Sequence, residues 1–320
     1  MAGLFKAEEI RSWLCGQMVA VATPFTDDLV LDLDALRQNV HFMIDHGVRT
    51  GQGALLVAAA AGEHPVLNVE ERKVAMEAAV EAAAGRVPVL SSIQHTDTRV
   101  IVELAQHASR IGIQGVQLNA TYYYHATEGD VLRLFQTVAE SSDVTVMIYC
   151  AGVLQGMGLD IVRRLGDLET VRVLKFSADN MDDFTNGVAT FANDLVVIDN
   201  TGQHVWANIL GARGFVTHIG NFWPEYMLKI WQLLENREYN AVKDRLASFK
   251  WGWNDWRKKV EEFTGGEGPF IKAAMEAVGL PAGPPRPSSI RLPQHLLDDL
   301  SELLVAAGVP QARVGIPGSG

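Results

Sequence analysis

Val171-Arg-Val-Leu-Lys-Phe-Ser177 is the stretch on which the reading of this chain turns. The apolar run from Val171 to Leu174 predicts a short buried strand, and the strand ends in a single lysine. A cationic side chain inside an apolar run is costly unless it is paired or put to use. Two readings stand side by side. In one, Lys175 bends its ammonium out to water at the strand end. In the other, the strand belongs to a parallel barrel and Lys175 sits at its carboxyl end, where such folds build their sites. A desolvated lysine there can lose its proton near neutral pH and attack a carbonyl as a free amine.

Working outward from this strand, short apolar runs alternate with amphipathic ones. Strands are expected at 17–23, 53–59, 87–93, 115–120, 144–149, 171–176, 195–199 and 214–218. Helices are expected at 33–47, 69–84, 129–141, 158–168, 181–193, 203–210 and 224–235, with one more opening near Thr96-Asp97, where the aspartate can cap it. Eight strand–helix units in about 225 residues is the rhythm of an α/β chain folded as a (β/α)8 TIM barrel. The first strand is followed by Thr23-Pro-Phe-Thr26 rather than by a glycine-rich phosphate fingerprint, which removes the main support for a dinucleotide-binding sheet. From Tyr239 onward the strands stop, and 239–262, 268–279 and 293–307 read as helices. The expected organisation is a barrel over 12–236 carrying the active site, a C-terminal helical domain over 237–309, and a flexible tail over 310–320.

Composition narrows the partners. The chain has 320 residues, 48% of them hydrophobic, and a formal net charge of −11. A phosphate backbone wants a basic face, so nucleic acid is not expected as a partner. No apolar run approaches the roughly 20 residues of a membrane span, and the N-terminus carries Glu8, Glu9 and Arg11, unlike a signal peptide. Two cysteines, Cys15 and Cys150, cannot build a disulfide framework. The expected location is the cytoplasm. His64, His95, His125, His204 and His218 show no HxxxH or HxH spacing, so no metal site is expected. The run Trp251-Gly-Trp-Asn-Asp-Trp256 reads as helix-packing core or an oligomer contact.

In a barrel the carboxyl ends of the strands converge on one mouth. Taken in order they offer Thr23, the stretch Ala59 to Glu63, Gln94-His95, Tyr122-Tyr-Tyr124, Tyr149, Lys175, Asp199 and His218. A lysine facing tyrosines suits carbinolamine and imine chemistry: the amine is the nucleophile and a phenol moves protons. Tyr122 to Tyr124 can equally be an aromatic patch that packs or forms a subunit contact.

These pieces, in order and spacing, resemble the dihydrodipicolinate synthase/N-acetylneuraminate lyase family of class I aldolases over residues 17–309. Val21-Ala-Thr-Pro-Phe25 looks like its opening strand, and Ala59-Ala-Ala-Gly-Glu63 with Glu70-Glu71-Arg72 looks like its G-[ST]-T-G-E segment. Tyr122-Tyr123, Tyr149 and Lys175 look like its tyrosine pair, its catalytic tyrosine and its imine-forming lysine. Gly214-Phe-Val216 with Asn221, and Pro269 to Leu280 with Arg286-Pro287, complete the likeness. The resemblance implies a pyruvate-type 2-oxo acid bound as an imine on Lys175, no cofactor, Tyr149 as acid/base, and Tyr123 reaching into a neighbouring subunit's site. It implies substrate contacts at Thr23, Ala60, Ala61 and Val216, and a homotetramer built as a dimer of dimers.

The departures are informative. Ala60 and Ala61 replace the family's two hydroxyl residues, removing contacts to the substrate carboxylate each worth roughly 1.5–3 kcal/mol when charge-assisted. Leu154 falls where the synthase branch has an arginine, so the clamp for a second carboxylate is missing. Asp199 stands at a position that is usually glycine and is expected to bring a carboxylate near the mouth. The resulting expectation is a Schiff-base lyase, an aldolase or hydratase-aldolase, that takes a 2-oxo acid with a less charged or aromatic aldehyde partner. The alternatives are a dehydratase of a sugar-derived 2-oxo acid, in which Asp199 or His218 assists, and a non-catalytic oxo-acid-binding paralogue.

Overall fold

A computed structural model describes residues 7–120 and 123–313. Its strands are β1 (Gly16–Ala20), β2 (Gly53–Val57), β3 (Val89–Ser92), β4 (Gly115–Leu118), β5 (Val146–Cys150), β6 (Val171–Phe176), β7 (Val196–Asp199) and β8 (Gly214–Thr217). They close into a barrel in sequence order, and the pairings from β3 through β8 are parallel. The helices are α1 (Ala7–Trp13), α2 (Leu33–Asp45), α3 (Val69–Ala83), α4 (Thr98–Ile111), α5 (Glu128–Ser141), α6 (Val153–Gly156), α7 (Leu159–Gly166), α8 (Met181–Phe191), α9 (His204–Ile209) and α10 (Pro224–Glu235). After them come α11 (Tyr239–Arg245), α12 (Trp251–Phe263), α13 (Gly268–Ala277) and α14 (Gln294–Ala306). The chain is a (β/α)8 barrel with a C-terminal helical segment. Helix α4 starts as the sequence implies, with the Asp97 side chain accepting from the Arg99 N–H. No helix among the described residues is long and apolar enough to cross a membrane. Tyr122 and residues 314–320 of the expected tail lie outside the described residues.

The described residues form two compact units, one of residues 7–18, 49–56, 84–120 and 123–216, the other of 19–48, 57–83 and 217–313. In the first, β6 is wholly buried at Val171, Val173 and Leu174. Each such side chain contributes about 1.5–3 kcal/mol on leaving water. The ladder to β5 is not regular: Val146 pairs with Val171, but Met147 pairs with Val173. Arg172 is the extra residue of a β-bulge, and its guanidinium donates to the carbonyls of Leu168 and Val171. Because side chains alternate every residue, a one-residue slip turns a strand over. The bulge therefore sets which face Lys175 takes, and it brings Lys175 opposite Tyr149.

In the second unit, the helix expected over 239–262 is interrupted. Residues 246–250 form a π-turn between α11 and α12. The Tyr226 hydroxyl donates to the Arg245 carbonyl and accepts from the Lys250 N–H at 3.2 Å. A side-chain hydroxyl inserted into the backbone ladder accounts for the local widening. The tryptophan run divides by helix face: Trp253 and Trp256 are buried, with ring centroids 5.2 Å apart, and Trp251 is exposed.

Candidate active site

Strand alternation decides which side chains of β4, β5 and β6 share a face. Phe176 turns outward onto α8. A Cβ placed on Gly187 would lie 2.2 Å from its ring, so only glycine lets that helix close on the strand. Lys175, one residue earlier, turns the opposite way, into the barrel. On β5, Met147 is in register with Gln117 of β4, and Tyr149 is in register with Lys175. Gln117, Tyr149 and Lys175 thus face the same side.

They also touch. Lys175 Nζ lies 4.1 Å from the centroid of the Tyr149 ring and donates to Gln117 Oε1 at 3.1 Å. Lys175 is only 6% exposed, so its amine does not escape to water as the snorkelling alternative requires. The ring face and the amide oxygen are both neutral, electron-rich surfaces for a cation. Neither displaces the amine as a fixed carboxylate would. The arrangement can hold an amine in a dry place beside a phenol, which is what imine formation and proton transfer need.

Asp199 does not point to the mouth, which corrects the placement expected from the sequence. It is in register with Phe176 and, like Phe176, turns outward. Its Oδ2 meets His204 Nδ1 of α9 at 2.9 Å, and its Oδ1 accepts from the Thr201 N–H and hydroxyl at 2.7 and 2.8 Å. Both side chains of the Asp199–His204 pair are essentially inaccessible to solvent. Burial pushes the Asp199 carboxyl up, but the hydrogen bond and charge of His204 and the Thr201 donors outweigh it and hold the carboxyl below its usual range. The His204 ring packs on Phe215, 4.3 Å between centroids, so Phe215 faces outward and its neighbour Val216 inward.

Leu154 lies on the short helix α6 and is fully buried. Tyr123 is 86% exposed. Gln94 and His95 follow β3; the His95 Nδ1 accepts from the Asp97 N–H at 2.9 Å.

In the second unit, the Ala59–Glu63 turn is built around three closures. Glu63 N–H donates to the Ala60 carbonyl, His64 N–H to the Ala59 carbonyl, and the Thr23 hydroxyl to the Gly62 carbonyl at 2.8 Å. Thr23 and Ala61 are buried and Ala60 is exposed. Glu63 takes the left-handed conformation, φ +53°, which a non-glycine residue adopts only when its surroundings demand it. The demand is visible. Its carboxylate meets Lys272 Nζ of α13 at 2.6 Å and accepts from the Arg286 N–H at 3.1 Å. Lys272 is 2% exposed. Burial pushes its ammonium down, and the Glu63 charge and hydrogen bond offset part of that. His218 pairs with Glu267, Nε2 to Oε2 3.2 Å.

Sequence reasoning missed Gln117, Lys272 and the His204 partner of Asp199. Two of them left a signal: Gln117 interrupts the apolar strand Gly115-Val-Gln-Leu118, and Lys272 interrupts the apolar helix Pro269-Phe-Ile-Lys-Ala-Ala274.

Comparison with known proteins adds four findings. A family model described as the dihydrodipicolinate synthetase family matches residues 14–307. The 4-hydroxy-tetrahydrodipicolinate synthase of Oceanobacillus iheyensis is 28% identical over 295 residues, which cover 90% of this chain and 95% of that protein. Among solved structures, a dihydrodipicolinate synthase from Oceanobacillus iheyensis superimposes with a TM-score of 0.83 at 20% identity, covering 95% of this chain and 99% of that one. An N-acetylneuraminate lyase from Mycoplasma synoviae superimposes with a TM-score of 0.79 at 21% identity, covering 92% and 98%. The two superpositions speak for the fold alone.

Proposed function

The chain belongs to the dihydrodipicolinate synthetase family, a family of lyases of the class I aldolase type, and from that premise we propose that it cleaves or joins a pyruvate-type 2-oxo acid through an imine on Lys175. The observation that carries this reading is the buried Lys175 amine, held between the Tyr149 ring and the Gln117 amide. The amine adds to the 2-oxo carbon, and the carbinolamine loses water to give an iminium. When the C3–C4 bond breaks, its electron pair moves into the iminium to give an enamine, and the C4 hydroxyl gives up its proton as the aldehyde leaves. Tyr149 is the group we assign to carry that proton. Protonation of the enamine at C3 and hydrolysis return the lysine.

The aldehyde partner is proposed to be less charged, or aromatic or hydrophobic. Leu154 at the position of the synthase branch's arginine supports this. The dehydratase alternative receives no help from Asp199, which is committed to His204 and Thr201.

The test is borohydride trapping. The protein is incubated with pyruvate and longer 2-oxo acids, reduced, and weighed intact. A one-adduct mass gain is expected for the wild type and none for Lys175→Ala. A folded wild type that gains no mass with any acid would sink the imine reading. If a lysine-pathway semialdehyde proves the best acceptor in a panel of aldehydes, the proposed partner class is wrong.

Assembly as a dimer of dimers is proposed with Tyr123 at a subunit contact, a role supported by an aromatic side chain left 86% exposed in the single chain. Sedimentation should give a tetramer, and Tyr123→Ala should weaken it. A wild type that sediments as a monomer at micromolar concentration excludes that assembly.

A further inference from the structure

Gln117 has no role in the chemistry just described, yet it is the side chain hydrogen-bonded to the amine that would react. It is 1% exposed, on a strand otherwise made of Gly115, Val116 and Leu118. A buried amide in an apolar strand is tolerated only when its donors and acceptors are matched. Here the matching is directional. As an ammonium, Lys175 offers only donors, so the amide presents Oε1 to it. Gln117 Nε2 is thereby left facing Gln94, whose Oε1 lies 3.4 Å away. Turned over, the amide would set donor against donor at Lys175 and acceptor against acceptor at Gln94.

We propose that Gln117 is the positioning residue for Lys175: it fixes the amine beside the Tyr149 ring and accepts the N–H of the imine once it has formed, with Gln94 holding the amide in that sense. This rests on the imine reading above and deepens it. The chemistry favours an amide over the alternatives at this place. When the amine condenses with a carbonyl and water leaves, one N–H remains on the iminium nitrogen. A neutral amide oxygen can accept that N–H but is far too weak a base to remove the proton, so the cationic electron sink survives. A carboxylate would hold the ammonium as an ion pair. A leucine would offer that N–H no acceptor of its own.

The test uses Gln117→Met, Gln94→Met and the double variant in the full chain, each checked by thermal melting. Two rates are read. One is the rate of adduct formation with pyruvate and borohydride as a function of pyruvate concentration. The other is the rate at which Lys175 itself is methylated by formaldehyde and cyanoborohydride, followed on its peptide by mass; this needs no 2-oxo acid. Gln117→Met is expected to lower the saturating trapping rate and the Lys175 methylation rate about tenfold, the size of one lost hydrogen bond to a charged group. The pyruvate concentration for half-saturation should move by less than about threefold, since the loss lies in the reacting nitrogen and not in oxo-acid binding. Gln94→Met should lower both rates by a smaller factor and add nothing in the Gln117→Met background, because it acts only through Gln117. A merely space-filling Gln117 would leave both rates unchanged, and additive effects would break the proposed order; either result overturns the proposal. If Gln117→Met fails to fold, Gln94→Met decides: Lys175 rates equal to wild type reject it. If the wild type forms no adduct with pyruvate but Lys175 methylation still depends on Gln117, the imine-substrate reading falls and the positioning role stands.

Discussion

Tyr149→Phe is expected to lower turnover by about 10²–10⁴-fold, the range of a general acid/base catalyst, while an adduct on Lys175 remains trappable. The Tyr149 ring lies against Lys175 Nζ, 4.1 Å to the centroid. Phenylalanine keeps that ring and its packing, and removes only the hydroxyl. Amine addition can proceed with water as a slow proton carrier, so the imine still forms. Cleavage and re-formation of the C3–C4 bond need a positioned group to take and return a proton, and these steps lose most. The measurement compares, in one preparation, the yield of borohydride adduct and the steady-state rate with the best substrate found. A Tyr149→Phe enzyme turning over within about threefold of wild type would remove Tyr149 from the acid/base role. Loss of trapping and turnover together would instead mean that the hydroxyl is needed to make the imine.

The second large effect concerns stability. Lys272→Met is expected to cost about 3–5 kcal/mol, the range for breaking a buried ion pair from one side. Lys272 is 2% exposed and Glu63 7%, with 2.6 Å between Nζ and Oε1. Lys272 also donates to the Pro284 carbonyl at 2.9 Å and lies 4.1 Å from the centre of the Phe25 ring. Methionine matches much of the volume but leaves the buried Glu63 carboxylate with the Arg286 N–H donating to it and no cation at Oε1. Against a total stability of roughly 5–15 kcal/mol, such a loss is severe. The double variant Glu63→Gln/Lys272→Met removes both charges together and is expected to recover most of it. Urea melts of the three variants decide the matter. A single variant within about 1 kcal/mol of wild type would show that the pair carries little. The consequence is local as well as global, because Glu63 holds its left-handed turn through this contact and through Arg286. Arg286 in turn grips Glu71 through Nη2 at 2.6 Å and the Leu29 carbonyl at 2.8 Å.

The barrel was legible in the sequence because its signals are local. Hydrophobic period and turn residues mark each strand and helix wherever they lie in space, and β6 and α10 have the bounds that these signals indicate. Lys175 and Tyr149 stood out for the same reason: each is a polar group closing an apolar strand. Three things were decided only by the tertiary structure. The bulge at Arg172 turns the end of β6 so that Lys175, not Leu174, meets Tyr149, and a bulge is a property of two paired strands rather than of one sequence. Asp199, read along the chain as a carboxylate for the mouth, is claimed by His204, a residue on the next helix that turns it away from the barrel interior. Gln117 gains its meaning from an amine 58 positions further on. The sequence by itself determined the order of elements and the reactive residue types, since burial pattern and residue chemistry are written position by position. Which partner each buried polar group takes was left to the fold, because a buried donor or acceptor is satisfied by whatever packing brings within about 3 Å of it.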